Sequence, residues 1–151
     1  MPLTNKFNSS LEAFLYWEHN KPNLTFLKQR FNGNEIDYTF AQVGEESRKI
    51  ATAITKYNFP KGSHIALLSK NCAHWYMADL AIMMAGHVSI PIYPTLNAES
   101  INQILEHSEA KAIIVGKLED YDGQKTGFPD IPSIGVGMYG DKHEQLWEDI
   151  I

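Results

Sequence analysis

A single cysteine, Cys72, stands among the 151 residues, so the chain forms no internal disulfide and cannot build a cysteine-rich zinc site. That usage points to a reducing compartment. Basic residues are also scarce: 13 Lys and Arg stand against 18 Asp and Glu for a net charge of −5, with no basic stripe of the kind nucleic-acid phosphates demand. No nucleic-acid partner is expected. Residues 1–8 lack a basic leader followed by an apolar run, and the expectation is a cytoplasmic protein. The longest apolar region, residues 75–93, is broken by Asp79, His87 and Pro91 and split at Gly86, which suits a buried helix and strand better than a membrane span. Peripheral contact with a membrane stays open on these grounds.

Catalytic signatures are missing too. There is no G-x-x-x-x-G-K-[ST] phosphate loop, no H-E-x-x-H among the six histidines and no G-x-S-x-G elbow, which removes Walker-type, zincin and serine-hydrolase readings. Cys72-Ala73-His74 is too short a ligand set for zinc.

What is present reads as one globular α/β domain over residues 1–151, with 44% hydrophobic and 21% charged residues near globular averages. Ser10 is placed to cap a short helix with Leu11, Phe14 and Leu15 on one face and Trp17 nearby. Residues 24–40 alternate and turn at Asn32-Gly33-Asn34, a hairpin signal. Thr39 and Gln42 make a capping-box pattern that opens a helix to about Tyr57, with Val43, Ile50, Ala53 and Ile54 facing a core. His64-Ile-Ala-Leu-Leu-Ser69 then reads as a buried strand, Asn71 as the cap of a helix stopped by Gly86, and residues 88–93 as the next strand. Asn97 opens a helix carrying Ile101, Ile104 and Leu105, followed by a strand over residues 111–116. The alternation predicts a three-layer, Rossmann-like, partly parallel sheet flanked by helices, with right-handed crossovers and an N-terminal antiparallel hairpin. Beyond Gly116 the reading is loop-rich, with one strand over residues 133–138 and a terminal helix over 142–150 capped by Asp141.

In open α/β sheets ligands sit outside the carboxyl ends of the parallel strands. Three such ends arise here, at Ser69-Lys70-Asn71, Tyr93-Pro94-Thr95 and Gly116-Lys117. The candidate substrate edge is therefore Lys70, Asn71, Tyr93 and Thr95, with no catalytic residue and no metal ligand assigned. Lys70 is a cation available to phosphate or, more plainly, a solvated lysine; Tyr93 borders an apolar tunnel or ends a strand. Trp75 is expected to pack into the core and Asp79 to be a hydrogen-bonded structural carboxylate. Gly135, Gly137 and Gly140 fit G-x-G-x-x-G, the basis of an alternative reading as a small nucleotide-binding module, but no acidic residue follows at about 20 positions to hold a ribose. Pro60-Lys61-Gly62 lacks a Ser/Thr/Gly-rich cradle before it and reads as a turn. A non-catalytic interaction domain is the remaining alternative.

Tyr38-Thr39-Phe40, Lys61-Gly62, Asn71 with Trp75 four residues on, Gly86 and Pro91-Ile92-Tyr93-Pro94-Thr95 occur in an order that resembles adenylate-forming acyl-CoA synthetases, in particular their long-chain fatty-acid branch. The resemblance spans residues 38–116. Where many members show Asn-Arg, this chain has Asn71-Cys72, so no basic contact transfers there. The resemblance implies the N-terminal portion of the large domain of a long-chain fatty-acid–CoA ligase, in which fatty acid and ATP give acyl-adenylate and pyrophosphate, and CoA then displaces AMP. It also implies that ATP, Mg and CoA are handled by residues outside this chain, whose phosphate loop and C-terminal domain are absent. The piece alone is then expected to bind no cofactor and to be inactive, with the rest of its own polypeptide as partner and homo-oligomerisation left open.

Overall fold

Asn32 and Gly33 both take positive φ, 50° and 78°, the twist that lets a two-residue turn join antiparallel strands. In the computed structural model, which describes residues 6–140 and 143–151, that turn joins β1 (Thr25–Phe31) to β2 (Asn34–Thr39) as a separate two-stranded sheet. Before it, α1 (Ser10–Asn20) is capped by Ser9 rather than Ser10. Ser9 is extended, which brings its Oγ within 3.1 Å of the Glu12 N–H, while Ser10 turns its hydroxyl towards Met83 Sδ. Phe14 is the residue α1 buries; Leu15 and Trp17 of the expected face remain exposed.

The Thr39 and Gln42 capping box forms as expected and starts α2 (Phe40–Thr55). Its buried face includes Val43, Ile50, Ala53 and Ile54. The second sheet holds β3 (His64–Leu68), β4 (Val88–Ile92), β5 (Ala112–Val115), β6 (Ser133–Gly135) and β7 (Gln145–Leu146), all parallel, in the order β4-β3-β5-β6-β7. Pro91 is tolerated because β4 lies at an edge, where a missing N–H breaks no ladder. Between strands run α3 (Ala73–Met84), α4 (Ala98–His107), the short α5 (Tyr121–Gln124) and, at the end, α6 (Trp147–Ile150).

Successive strand residues point to opposite faces, and the core divides accordingly. Ile65, Leu67, Ala112 and Ile114 join α2, α3 and Trp147 on one face, whereas Ala66, Leu68, Ile113 and Val115 join Ile101 and Leu105 of α4 on the other. Each fully buried Leu or Ile contributes roughly 1.5–3 kcal/mol. The expected three layers, parallel sheet and hairpin are all present.

Four further local expectations give way. Asn71 does not cap α3; Cys72 is the N-cap and offers no side-chain bond, and the Ala73 N–H donates instead to Gln29 Oε1 of β1 at 2.8 Å. The strand expected over residues 133–138 stops at Gly135, and a 3₁₀ turn, Gly137–Tyr139, follows. The terminal helix is only Trp147–Ile150, because Gln145 and Leu146 pair with β6 instead; its expected cap, Asp141, lies outside the described residues. The stretch expected to be loop contains α5 and a 3₁₀ turn at Lys125–Gly127.

Candidate substrate-binding edge

Leaving β3, the chain passes to α3 on one face of the sheet; leaving β4, it passes to α4 on the other. Connections that diverge in this way open a crevice at the carboxyl ends of the two strands. A cavity of about 720 Å³ lies there, lined by Ser69, Lys70, Asn71, Trp75 and Pro91 through Pro94. Lys70, Asn71 and Tyr93 are thus brought together. Thr95 is not among them: it lines an adjoining cavity of about 380 Å³ with Lys70, Glu119 and Gln124.

The floor between β3 and β5 is tied by Ser69, which is buried. Its Oγ accepts the Lys117 N–H at 2.9 Å and donates to the Lys70 carbonyl at 2.7 Å, while the Lys70 N–H donates to the Lys117 carbonyl at 2.8 Å. Gly116 is required beside it, since an added Cβ would overlap Ser69 Oγ and lie 2.8 Å from Ser69 Cβ. The Lys70 ammonium is paired with Glu119. Hydrogen bonding from Lys70, reinforced by its charge, lowers the Glu119 pKa. Glu119 is well exposed, so a phosphate or carboxylate reaching Lys70 displaces a solvated partner at little cost. Tyr93 is 79% exposed, a strand terminator whose ring is free to wall the crevice.

Trp75 packs against the core as expected, yet stays half-buried because the first turn of α3 also forms the crevice wall. Asp79 carries no side-chain hydrogen bond or ion pair among the described residues, against expectation. It lines a second, apolar groove of about 500 Å³ with Phe14, Trp17, Phe26, Phe40 and Tyr76. Gln29 and Gln124 are not marked by the sequence, and Ser69 is marked only as part of a strand end, without its bonding role. A Ser ending a buried strand was the one available signal; Gln29 and Gln124 act on distant partners and leave no local motif.

A polar cluster stands apart from the residues that line the crevice. His74 is 5% exposed and its Nδ1 is 3.1 Å from the Tyr139 hydroxyl, with Trp147 edge-on to its ring. Burial pushes the His74 pKa down to about 4 and raises that of Tyr139. The imidazole is neutral at physiological pH.

The glycine pattern does not form a phosphate cradle. The N–H groups of Gly137 and Met138 already donate to the Glu148 carboxylate at 2.9 and 3.2 Å, and a Cβ on Gly135 would overlap the His143 ring. Among the described residues no three His, Cys, Asp or Glu side chains gather as a metal requires, and no helix is long and apolar enough to cross a membrane. With the Gly137 and Met138 N–H groups taken, the 135–140 segment does not fit a pyrophosphate.

The model of the AMP-binding enzyme family matches residues 14–147. The chain belongs to that family. Among curated AMP-binding relatives it is 28% identical over 100 residues to the long-chain-fatty-acid–CoA ligase FadD15 of Mycobacterium bovis, a match covering 65% of this chain and 17% of that protein. It is 27% identical over 116 residues to the mitochondrial acyl-coenzyme A synthetase ACSM1 of Homo sapiens, covering 72% and 20%. The chain thus spans about a fifth or less of the length of these relatives. Among solved structures, the anthranilate CoA ligase AuaEII in complex with anthranoyl-AMP superposes with a TM-score of 0.74 at 20% identity, over 99% of this chain and 27% of that one. At that identity the likeness carries the fold.

Proposed function

We propose that these residues form the N-terminal portion of the large domain of a long-chain fatty-acid–CoA ligase, which joins an acid to CoA through an acyl-adenylate. The single observation behind the reading is the crevice at the carboxyl ends of β3 and β4, where Trp75, Ile92, Tyr93 and Pro94 offer apolar wall and Lys70 and Asn71 a polar rim. An amphiphile with one anionic end matches that division. In this reading the apolar wall lies along the alkyl chain and excludes water from it, while the Lys70 ammonium attracts the anionic end once Glu119 is displaced. The Tyr93-Pro94-Thr95 that follows β4 supports the long-chain branch over relatives acting on small acids. Binding of ATP, Mg and CoA falls to the remainder of the polypeptide, and the chain alone is inactive.

The test is acid-dependent pyrophosphate release by the whole protein against a series of acids from two to eighteen carbons. Release that rises with chain length upholds the reading. A preference for acetate or aromatic acids removes the long-chain assignment, and absence of release with every acid removes the ligase.

A further inference from the structure

Gln124 is 4% exposed in a segment, residues 117–127, whose other side chains are nearly all exposed or half-buried. Its Nε2 donates to two carbonyls of the connection between β4 and α4, Pro94 O at 2.8 Å and Leu96 O at 2.8 Å. Its Oε1 is buried with no donor against it. An unsatisfied buried acceptor is a standing cost to stability, and an apolar side chain of the same length would avoid it. What such a side chain cannot do is hold two carbonyls at once.

The two ends of this clamp differ in rigidity. On one side, α5 and the turn after it are docked on α4: Asn102 Nδ2 donates to the Gly127 carbonyl at 3.0 Å, and Gly127 sits so close to Ala98 that an added Cβ would lie 2.7 Å from its carbonyl carbon. On the other, the connection between β4 and α4 holds its own shape through a long Leu96 N–H to Tyr93 carbonyl bond of 3.3 Å and the Asn97 cap on Ser100. Gln124 thus ties a loosely bonded connection to a firmly docked one.

We infer that Gln124 is a positioning residue for the substrate edge, its carboxamide setting where Tyr93, Pro94 and Thr95 stand across from Lys70. The inference rests on the reading of the crevice as the acid-binding edge. It makes Gln124 a determinant of acid binding without contact to the acid.

The experiment compares Gln124→Met, which keeps the length but removes both donors and the orphan acceptor, with Gln124→Glu. In this chain, hydrogen exchange at the Leu96 amide, which donates to the Tyr93 carbonyl, should quicken about 10- to 30-fold in Gln124→Met, as two bonds are lost locally, while Ile113 and Ile114 of β5 keep their protection. In Gln124→Glu the Leu96 amide should regain protection relative to wild type as the pH is lowered, since a protonated carboxyl restores one donor. In the whole protein, KM for the long-chain acid should rise at least about fivefold in Gln124→Met with kcat changed less than about twofold. Unchanged exchange at Leu96 overturns the inference, as does an unchanged KM in an active enzyme. A wild-type protein that releases no pyrophosphate defeats the ligase reading instead, and the exchange data then still decide whether the clamp holds. Should Gln124→Met fail to fold, the pH series in Gln124→Glu decides alone: protection that does not respond to pH overturns the inference.

Discussion

Replacing Gly116 by Ala tests how the edge is built. Gly116 does not adopt a positive φ, so alanine meets no backbone strain there; the obstacle is Ser69, whose Cβ would lie 2.8 Å from the new methyl. Ser69 cannot retreat without releasing the Lys117 N–H and the Lys70 carbonyl. Each of those bonds is worth about 1 kcal/mol, and crowding a packed site costs roughly 1–3 kcal/mol. The sum is about 3–5 kcal/mol, which at a slope of about 2 kcal/mol/M lowers the urea midpoint by about 1.5–2.5 M. Unfolding followed by tryptophan fluorescence reads this shift. The decisive comparison is a cycle with Ser69→Gly, which costs about 2 kcal/mol through its lost bonds but clears the space. In that background Gly116→Ala should cost under about 0.5 kcal/mol. If it costs as much there as in the wild type, contact with Ser69 is not the reason for the glycine and the reasoning fails.

Gln29→Leu should destabilise the chain by about 1–3 kcal/mol in urea, because the Ala73 N–H at the buried start of α3 loses its acceptor; a cost below about 0.3 kcal/mol would mean that water or another group satisfies it. His74 supplies a pH signature. The unfolded chain protonates this residue near 6.5, whereas burial keeps the native imidazole neutral down to about 4, so the unfolded state binds the extra proton in between. Stability held above pH 6.5 should fall as the pH drops to 4, by up to ~3 kcal/mol. That slope should shrink in His74→Phe, and identical slopes in both proteins would contradict the burial argument.

The periodic elements were readable because their signals are local. The short apolar run that makes β3 a buried strand, the Asn32-Gly33 turn and the Thr39 and Gln42 box each act within a few residues, and each forms as read. Where distant partners decide, local reading fails. Asn71 looks like a cap, yet the donor at the start of α3 is met by Gln29, 44 residues away. Residues 142–150 carry a helical pattern, but pairing of Gln145 and Leu146 with β6 and burial of Trp147 under the Glu46 carboxylate take the strand and the last turn instead. At the edge, topology alone brought Lys70, Asn71 and Tyr93 into one crevice. Thr95 fell outside it because the chain turns away after Pro94, held there by a glutamine that no motif announces.

The central claim is that the carboxyl ends of β3 and β4 receive a long-chain acid within a larger ligase. Photocrosslinking the whole protein with a diazirine-bearing long-chain fatty acid, followed by mass spectrometry of the labelled peptides, addresses it directly. Labelling centred on Trp75 and on residues 91–94, suppressed by unlabelled long-chain acid and not by acetate, is the predicted result. Competable labelling confined to peptides outside residues 69–97 would contradict it.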